Sequence, residues 1–212
     1  MKVEIWSDIV CPFCYIGKHN FERFLEELPD GETIEVVNRS YELDPNTSRT
    51  KSENSVQSLA DKYGFSIEEA KDRMKGVEMM AENTGLPMNI FETRGANTHD
   101  LHRLIHLAKE EGKDEEVMKA FFKGHFVDGL NLNDHEVLLK IWSEEGLSEK
   151  EAVETLASDR LKDAVESDLK RAQELGIRGV PYFLFDGKIE VSGAQPKEAF
   201  HRVYESLKEK QQ

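Results

Sequence analysis

The sequence predicts an α/β fold in which an all-helical block is inserted between two halves of one sheet-containing unit. Three observations predict it. The first 40 or so residues alternate strand, helix and strand patterns. Helical periodicity with short capped breaks then runs unrelieved for more than a hundred residues. Strand signals return only at Tyr182, and a last helix follows them. The 212 residues therefore divide into a first sheet-containing part over 1–48, an inserted helical domain over 49–160, and a second sheet-containing part over 161–212.

The first strand is Lys2 to Trp6, where Val3 and Ile5 alternate with Lys2 and Glu4. A helix starts at Cys11-Pro12-Phe13-Cys14, with Cys11 near its N-cap and Pro12 in the first helical position, where the missing N–H costs nothing. Phe21, Phe24, Leu25 and Leu28 mark its apolar face, and Pro29-Asp30-Gly31 ends it. Ile34, Val36 and Val37 give β-branched character to a second strand over Thr33–Tyr41.

Helices follow. Val56, Leu59, Ala60 and Tyr63 form a stripe closed by Gly64. Ser66-Ile67-Glu68-Glu69 reads as a capping box opening a helix through Met74, Val77 and Met80 to Gly85. Thr98 starts another, with Leu101, Leu104, Ile105 and Ala108 inward. Two more span Glu115–Val127 and Asp134–Glu145, with Phe121, Phe122, Ile141 and Trp142 as core. Ser148-Glu149-Lys150-Glu151 reads as a second capping box, and Ser158 as the cap of a helix reaching Leu175. Tyr182–Phe185, the turn Asp186-Gly187 and Lys188–Ser192 form a hairpin, and Pro196 opens a final helix with Phe200, Val203 and Leu207 inward.

The composition is 38% hydrophobic and 33% charged, that of a globular chain with a solvated surface. Net charge is −14 and no Lys/Arg cluster occurs, so nucleic acid is excluded as an expected partner. No apolar run is long enough to span a membrane, and Met1 leads straight into a strand without an apolar signal region. A cytoplasmic protein is the expectation. The acidic pairs Glu26-Glu27, Glu110-Glu111 and Glu144-Glu145 read as solvated helix faces.

Both cysteines lie in the CxxC. In a reducing compartment such a pair argues for redox or metal chemistry rather than a structural disulfide. At a helix N-terminus, unpaired N–H groups and the positive end of the macrodipole favour thiolate over thiol. Cys11 is therefore the expected nucleophile, and Cys14, one turn on, is placed to resolve a mixed disulfide. A zinc site would need two more ligands. His99, His102 and His106 share one side of a helix and could supply them, but such histidines are more often polar surface or groove residues, and no metal is expected. His19, beyond the first turn, reads as solvated; Trp6 reads as core, and Tyr15 as a half-buried aromatic or a donor near the site.

The CxxC after the first strand, with Val180-Pro181 before the late hairpin, resembles the thioredoxin fold, and the helical insertion narrows this to the DsbA-like group. Ser7-Asp8 before the motif, Tyr15-Ile16-Gly17, Ala96-Asn97-Thr98, His102-Arg103-Leu104, Phe121-Phe122, Asp128-Gly129, Gly179-Val180-Pro181 and Ser192-Gly193-Ala194-Gln195 extend the match. This set is similar to the FrnE-type cytoplasmic dithiol oxidoreductases, related to 2-hydroxychromene-2-carboxylate isomerases and kappa-class glutathione transferases. The resemblance implies a thioredoxin-like fold with a cis Val180–Pro181 bond lying against the motif. It implies that Val180 offers its backbone to an extended peptide or a glutathione moiety, and that Phe13, Pro181, His102 and Gln195 complete the substrate site.

The isomerase and transferase relatives carry serine where this chain has Cys11, and a hydroxyl cannot exchange with a disulfide. The leading expectation is thus thiol–disulfide exchange at Cys11–Cys14 with no cofactor. Its partners are protein thiols and disulfides, with glutathione as a candidate co-substrate. A glutathione-dependent isomerase or transferase acting on a small aromatic substrate is the alternative, and a CxxC that binds zinc or only packs is a third reading. A homodimer is compatible with such folds.

Overall fold

A computed structural model describes residues 1–209. Its centre is a four-stranded sheet of order β2-β1-β3-β4. β1 (Lys2–Ser7) pairs in parallel with β2 (Glu35–Ser40), across a connection that holds α1 (Pro12–Glu26). On its other edge β1 runs antiparallel to β3 (Tyr182–Phe185), which turns at Asp186-Gly187 into β4 (Ile189–Ser192). Sequence ends thus meet in space: Val3 faces Phe185 and Ile5 faces Phe183.

The alternation expected of β1 exists, but both of its faces are covered. Val3 and Ile5 pack with Phe21 and Phe24 of α1, with Phe183 and Phe185, and with Phe200 and Tyr204 of α9 (Lys197–Glu209). Trp6 lies on the opposite face with Tyr182, Leu184 and Ala172, its indole N–H donating to the Asp168 carbonyl at 3.2 Å. Glu4, on that same face, is buried and held by Arg39 and Arg171 at 2.7 Å each. A buried strand thus carries a charge only because two guanidinium groups flank it.

The helices between the halves are α2 (Ser55–Tyr63), α3 (Ile67–Glu82), a 3₁₀ turn at Ile90–Glu92, α4 (His99–Glu110), α5 (Asp114–Phe126), α6 (His135–Glu144), α7 (Glu149–Leu156) and α8 (Lys162–Glu174). The Ser66 capping box forms as expected, with reciprocal bonds to Glu69. Three local expectations need correction. Ser148 is the N-cap of α7, but its hydroxyl makes no cap bond. Ser158 does not start α8: its hydroxyl bonds back to the Glu154 carbonyl, closing α7, and Leu161 in a left-handed conformation (φ 65°) begins α8. Tyr63 and Met80 are exposed rather than inward: each lies toward the end of its helix, past the residues of its stripe that pack into the core, Val56 and Ala60 for Tyr63 and Met74 for Met80. No helix among the described residues is long and apolar enough to cross a membrane.

The largest apolar cluster joins Ile9, Cys11, Cys14 and Ile16 to residues of α2 through α7, among them Phe121, Phe122, Phe126 and Trp142. The cysteine motif is therefore packed into the helical block as well as fixed to the sheet.

Candidate active site

β1 ends at Ser7, and Asp8-Ile9-Val10 carry the chain to Cys11, the N-cap residue of α1 (φ −89°, ψ 112°), with Pro12 next. The Cys11 N–H donates to the Asp8 carbonyl at 3.1 Å, while the Cys11 carbonyl accepts from Cys14 and Tyr15 N–H at 3.0 and 3.2 Å. The protonated side chain makes no capping bond. Both thiols are free; Cys11 is 3% exposed and Cys14 0%.

Their acidities are driven apart. A hydrogen bond from the Cys14 thiol, with help from the Cys14 and Phe13 backbone N–H groups, holds Cys11 below the usual thiol range against the opposing effects of burial and the Asp8 charge. Burial pushes Cys14 well above that range, and its donation to Cys11 pushes it further. The helix terminus contributes through those N–H groups, but the partner thiol is the larger influence. When Cys11 is protonated, its S–H faces the Val180 carbonyl at 3.7 Å.

The Val180–Pro181 peptide bond is cis. Pro181 is buried, its carbonyl accepts the Gly193 N–H at 2.8 Å, and its ring rests on Gly17 of α1. Phe13 projects beside Cys11 and is 40% exposed. Cys11, Cys14, Phe13, Val180 and Pro181 thus meet at one place. Gln195 is exposed nearby, its amide donating to the Ser192 carbonyl and its own carbonyl held by Asn20 at 3.0 Å.

His102 departs from expectation. It does not line an open groove: it is 1% exposed, with Nε2 donating to the Tyr41 carbonyl at 2.9 Å and standing 3.5 Å from Asp8 Oδ1. Asp8 is buried too; Oδ2 accepts the Leu43 N–H at 2.8 Å, its backbone N–H points at Cys14 Sγ (3.4 Å), and Oδ1 has no hydrogen-bond partner. The row of helical histidines diverges, with His99 bonded to Glu42 and His106 to Ser40 and Asp168. No group of three potential metal ligands occurs among the described residues. His19 is half-buried rather than solvated, its Nε2 3.1 Å from the Thr84 carbonyl. Tyr15 is half-buried and stacks on Phe122 and Phe126 at 5.4 and 5.3 Å between centroids.

The sequence marks Asp8 and Gly17 only as part of the family resemblance and gives no role to them, to Lys18 or to His125. His125 could have been found: it continues the buried stripe of Phe121 and Phe122 on α5, where an apolar residue belongs. It is 2% exposed, its Nδ1 has no partner, and burial lowers its pKa to about 4.

A mixed sheet with paired thiols at the start of its first helix, a cis proline loop laid against them and a helical insertion define the thioredoxin-like fold of disulfide-exchange proteins. Within that class the chain belongs to the DSBA-like thioredoxin domain family, which it matches over residues 2–205. It is 28% identical over 205 residues to the uncharacterised protein YwbO of Bacillus subtilis (strain 168), covering 96% of this chain and 95% of that one. It superposes on a probable DsbA oxidoreductase from Streptomyces coelicolor with a TM-score of 0.91 at 40% identity, covering 96% of this chain and 88% of that one. The cytosolic disulfide reductase DsbM from Pseudomonas aeruginosa shares the fold at 16% identity, with a TM-score of 0.68 over 98% of this chain and 100% of that one.

Proposed function

We propose that this protein is a cytoplasmic, FrnE-type dithiol–disulfide oxidoreductase whose redox couple is Cys11–Cys14. The observation that carries the reading is the split in acidity: a thiol lowered by its neighbour at the helix start, and a fully buried partner that supplies the stabilising S–H. The use of only two cysteines, both in the motif, suits a redox pair in a reducing compartment.

In the reducing direction the Cys11 thiolate attacks one sulfur of a substrate disulfide. The substrate S–S bond breaks, its other sulfur leaves as a thiolate, and a Cys11–substrate disulfide forms. Cys14 then gives its proton to the substrate thiolate that has left and attacks Cys11 Sγ; the Cys11–substrate bond breaks and the second substrate sulfur leaves as a thiolate. The substrate gains two electrons and the protein ends as the Cys11–Cys14 disulfide. The oxidising direction is the same sequence reversed. Val180 presents its backbone, and Phe13 and Pro181 border the reacting sulfur.

The test is the reduction potential of the couple, measured by equilibration with glutathione. A two-electron couple that vanishes in Cys11→Ser is expected. A protein that forms no Cys11–Cys14 disulfide under oxidised glutathione, or that turns over a small aromatic substrate with glutathione and keeps that activity in Cys14→Ser, would overturn it.

A further inference from the structure

Three segments frame the reacting sulfur. They are the motif from Ile9 to Gly17, the cis-proline loop from Gly176 to Tyr182, and the turn from Val191 to Pro196, which the Gly193–Pro181 hydrogen bond ties to that loop. Among all their side chains one is charged, Arg178. The chain as a whole carries −14, so this cation stands against the sign of its surroundings. Asp8, the charge just before the motif, is buried and faces Leu43 and His102 rather than the mouth of the site.

The loop leaves Arg178 uncommitted. Ile177 is buried against Trp6 and Tyr182, which turns the next side chain outward, and Arg178 is exposed. The guanidinium of Arg171, one helix end away, is bound to Glu4 at 2.7 Å; Arg178 has no ion pair among the described residues. The backbone beside it is uncommitted too. The Ile177 N–H bonds the Ala172 carbonyl and the Pro181 carbonyl accepts from Gly193, but between them Arg178 and Gly179 make no backbone hydrogen bond among the described residues. The Val180 carbonyl meets only the Cys11 thiol, at 3.7 Å.

We propose that Arg178 is a specificity-determining residue, which pairs with a carboxylate two residues from the reacting half-cystine of a peptide or protein disulfide. This rests on the disulfide-exchange reading above and names the substrate class for it: half-cystines with an acidic residue at that spacing. An extended substrate laid along the free backbone, with its half-cystine opposite Val180, puts the residue two positions away, about 7 Å along, opposite Arg178. Antiparallel pairing places that residue after the half-cystine, parallel pairing before it. Opposite charges facing across paired strands attract and like charges repel, and the planar guanidinium fork matches a carboxylate in particular.

The experiment uses the reduced full chain and short peptides, each carrying one cysteine as a mixed disulfide with mercaptoethanol. Glu, Gln or Lys stands two residues after the cysteine in one set and two residues before it in another, with every other position neutral. Rates are compared among wild type, Arg178→Gln and Arg178→Glu, so that each peptide's own reactivity cancels. Relative to Arg178→Gln, wild type is expected to favour Glu over Gln and Gln over Lys by about threefold each, in one of the two sets. Arg178→Glu is expected to invert that order, and 1 M salt, where charges are screened within about 3 Å, to level it. The same order of peptides in all three proteins would overturn the assignment. Equal preferences in both sets would also overturn it, since a diffuse field and not a facing side chain would then be acting. So would an effect of Arg178→Glu on oxidised glutathione alone, which would make the partner a small co-substrate. Failure of the wild-type chain to exchange with neutral bis(hydroxyethyl) disulfide would instead overturn the redox reading beneath it.

Discussion

Gly17 lies directly against Pro181: a Cβ placed on Gly17 would stand 2.8 Å from Pro181 Cγ and 3.5 Å from the Ala194 Cα. The glycine is inside α1, where alanine would ordinarily be the better residue by about 1 kcal/mol. Here the added methyl must displace a proline ring and the backbone behind it, an overpacking that costs roughly 1–3 kcal/mol. The second effect wins. Gly17→Ala is expected to lower stability by about 1 kcal/mol in urea unfolding and to slow disulfide exchange, because the Val180 carbonyl moves with Pro181. Gly76→Ala in α3, where a Cβ meets nothing within 4 Å, is expected to raise stability by about 1 kcal/mol. A Gly17→Ala protein more stable than its parent would show that the loop yields freely.

Cys14 acts on Cys11 before any disulfide forms. Its S–H is the largest influence lowering the Cys11 thiol, ahead of the two backbone N–H groups. Replacing Cys14 by alanine removes that donor and is expected to move the Cys11 titration upward, followed by ultraviolet thiolate absorbance. Cys14→Ser, whose hydroxyl still donates, is expected to move it less. An unchanged titration in Cys14→Ala would mean that the helix terminus alone activates Cys11.

Much of this arrangement was legible in the chain. The strand, the proline at the first helical turn and the Asp186-Gly187 hairpin are local signals, and each forms where local chemistry puts it. The two serine caps depart from the pattern in different ways. Ser148 does stand at the N-cap of α7, but its hydroxyl makes no cap bond. The Ser158 hydroxyl satisfies the Glu154 carbonyl of its own helix instead of the next helix's N–H, and only the path of the following residues decides between those partners. His102 failed differently. Its helical register was right, but whether that face meets solvent or the back of the motif depends on how α4 docks, which periodicity does not encode. The contacts of Gly17 and Lys18 are not legible in the sequence because their partners, Pro181 and Glu115, are 164 and 97 residues away in the chain.

Lys18 and Glu115 tie α1 to α5, and so the sheet-bearing part to the helices. Lys18 is nearly buried, its Nζ 2.9 Å from Glu115 Oε2 and 2.8 Å from Asn38 Oδ1. Against the cost of burial, Lys18 and the Asn38 amide bring Glu115 down to about 2. Glu115→Gln keeps the shape but takes from the nearly buried ammonium its directly bonded carboxylate, leaving it the Asn38 amide oxygen and the charge of Glu22, and a loss of about 3 kcal/mol is expected at neutral pH. A carboxylate held below its unfolded value of 4.5 contributes stability above that pH and loses it as pH falls toward 2. The gap between wild type and Glu115→Gln in urea unfolding is therefore expected to narrow over that interval. A gap already absent at pH 7 would show that the pair is neutral to stability.

His125 governs a higher interval. Its ring stands edge-on to Phe126 at 4.5 Å, Nδ1 has no partner, and burial outweighs the opposing pull of the Asp8 charge to bring its pKa from 6.5 to about 4. The folded protein therefore keeps His125 neutral where the unfolded chain is protonated. Stability from this source is complete above about pH 6.5, falls as pH drops, and levels off near pH 4. At about 1.4 kcal/mol per pH unit the loss approaches about 3 kcal/mol. Glu115 contributes only below its unfolded value of 4.5, and Glu22, raised above that value by burial, is common to wild type and variant, so the difference between the two proteins in urea unfolding between pH 7 and 5 reports the histidine. His125→Gln does not titrate there and is expected to flatten the pH slope, with wild type gaining on the variant as pH rises. Identical slopes for the two proteins would mean that His125 takes up its proton in the folded state as easily as in the unfolded chain, and that Nδ1 finds a partner.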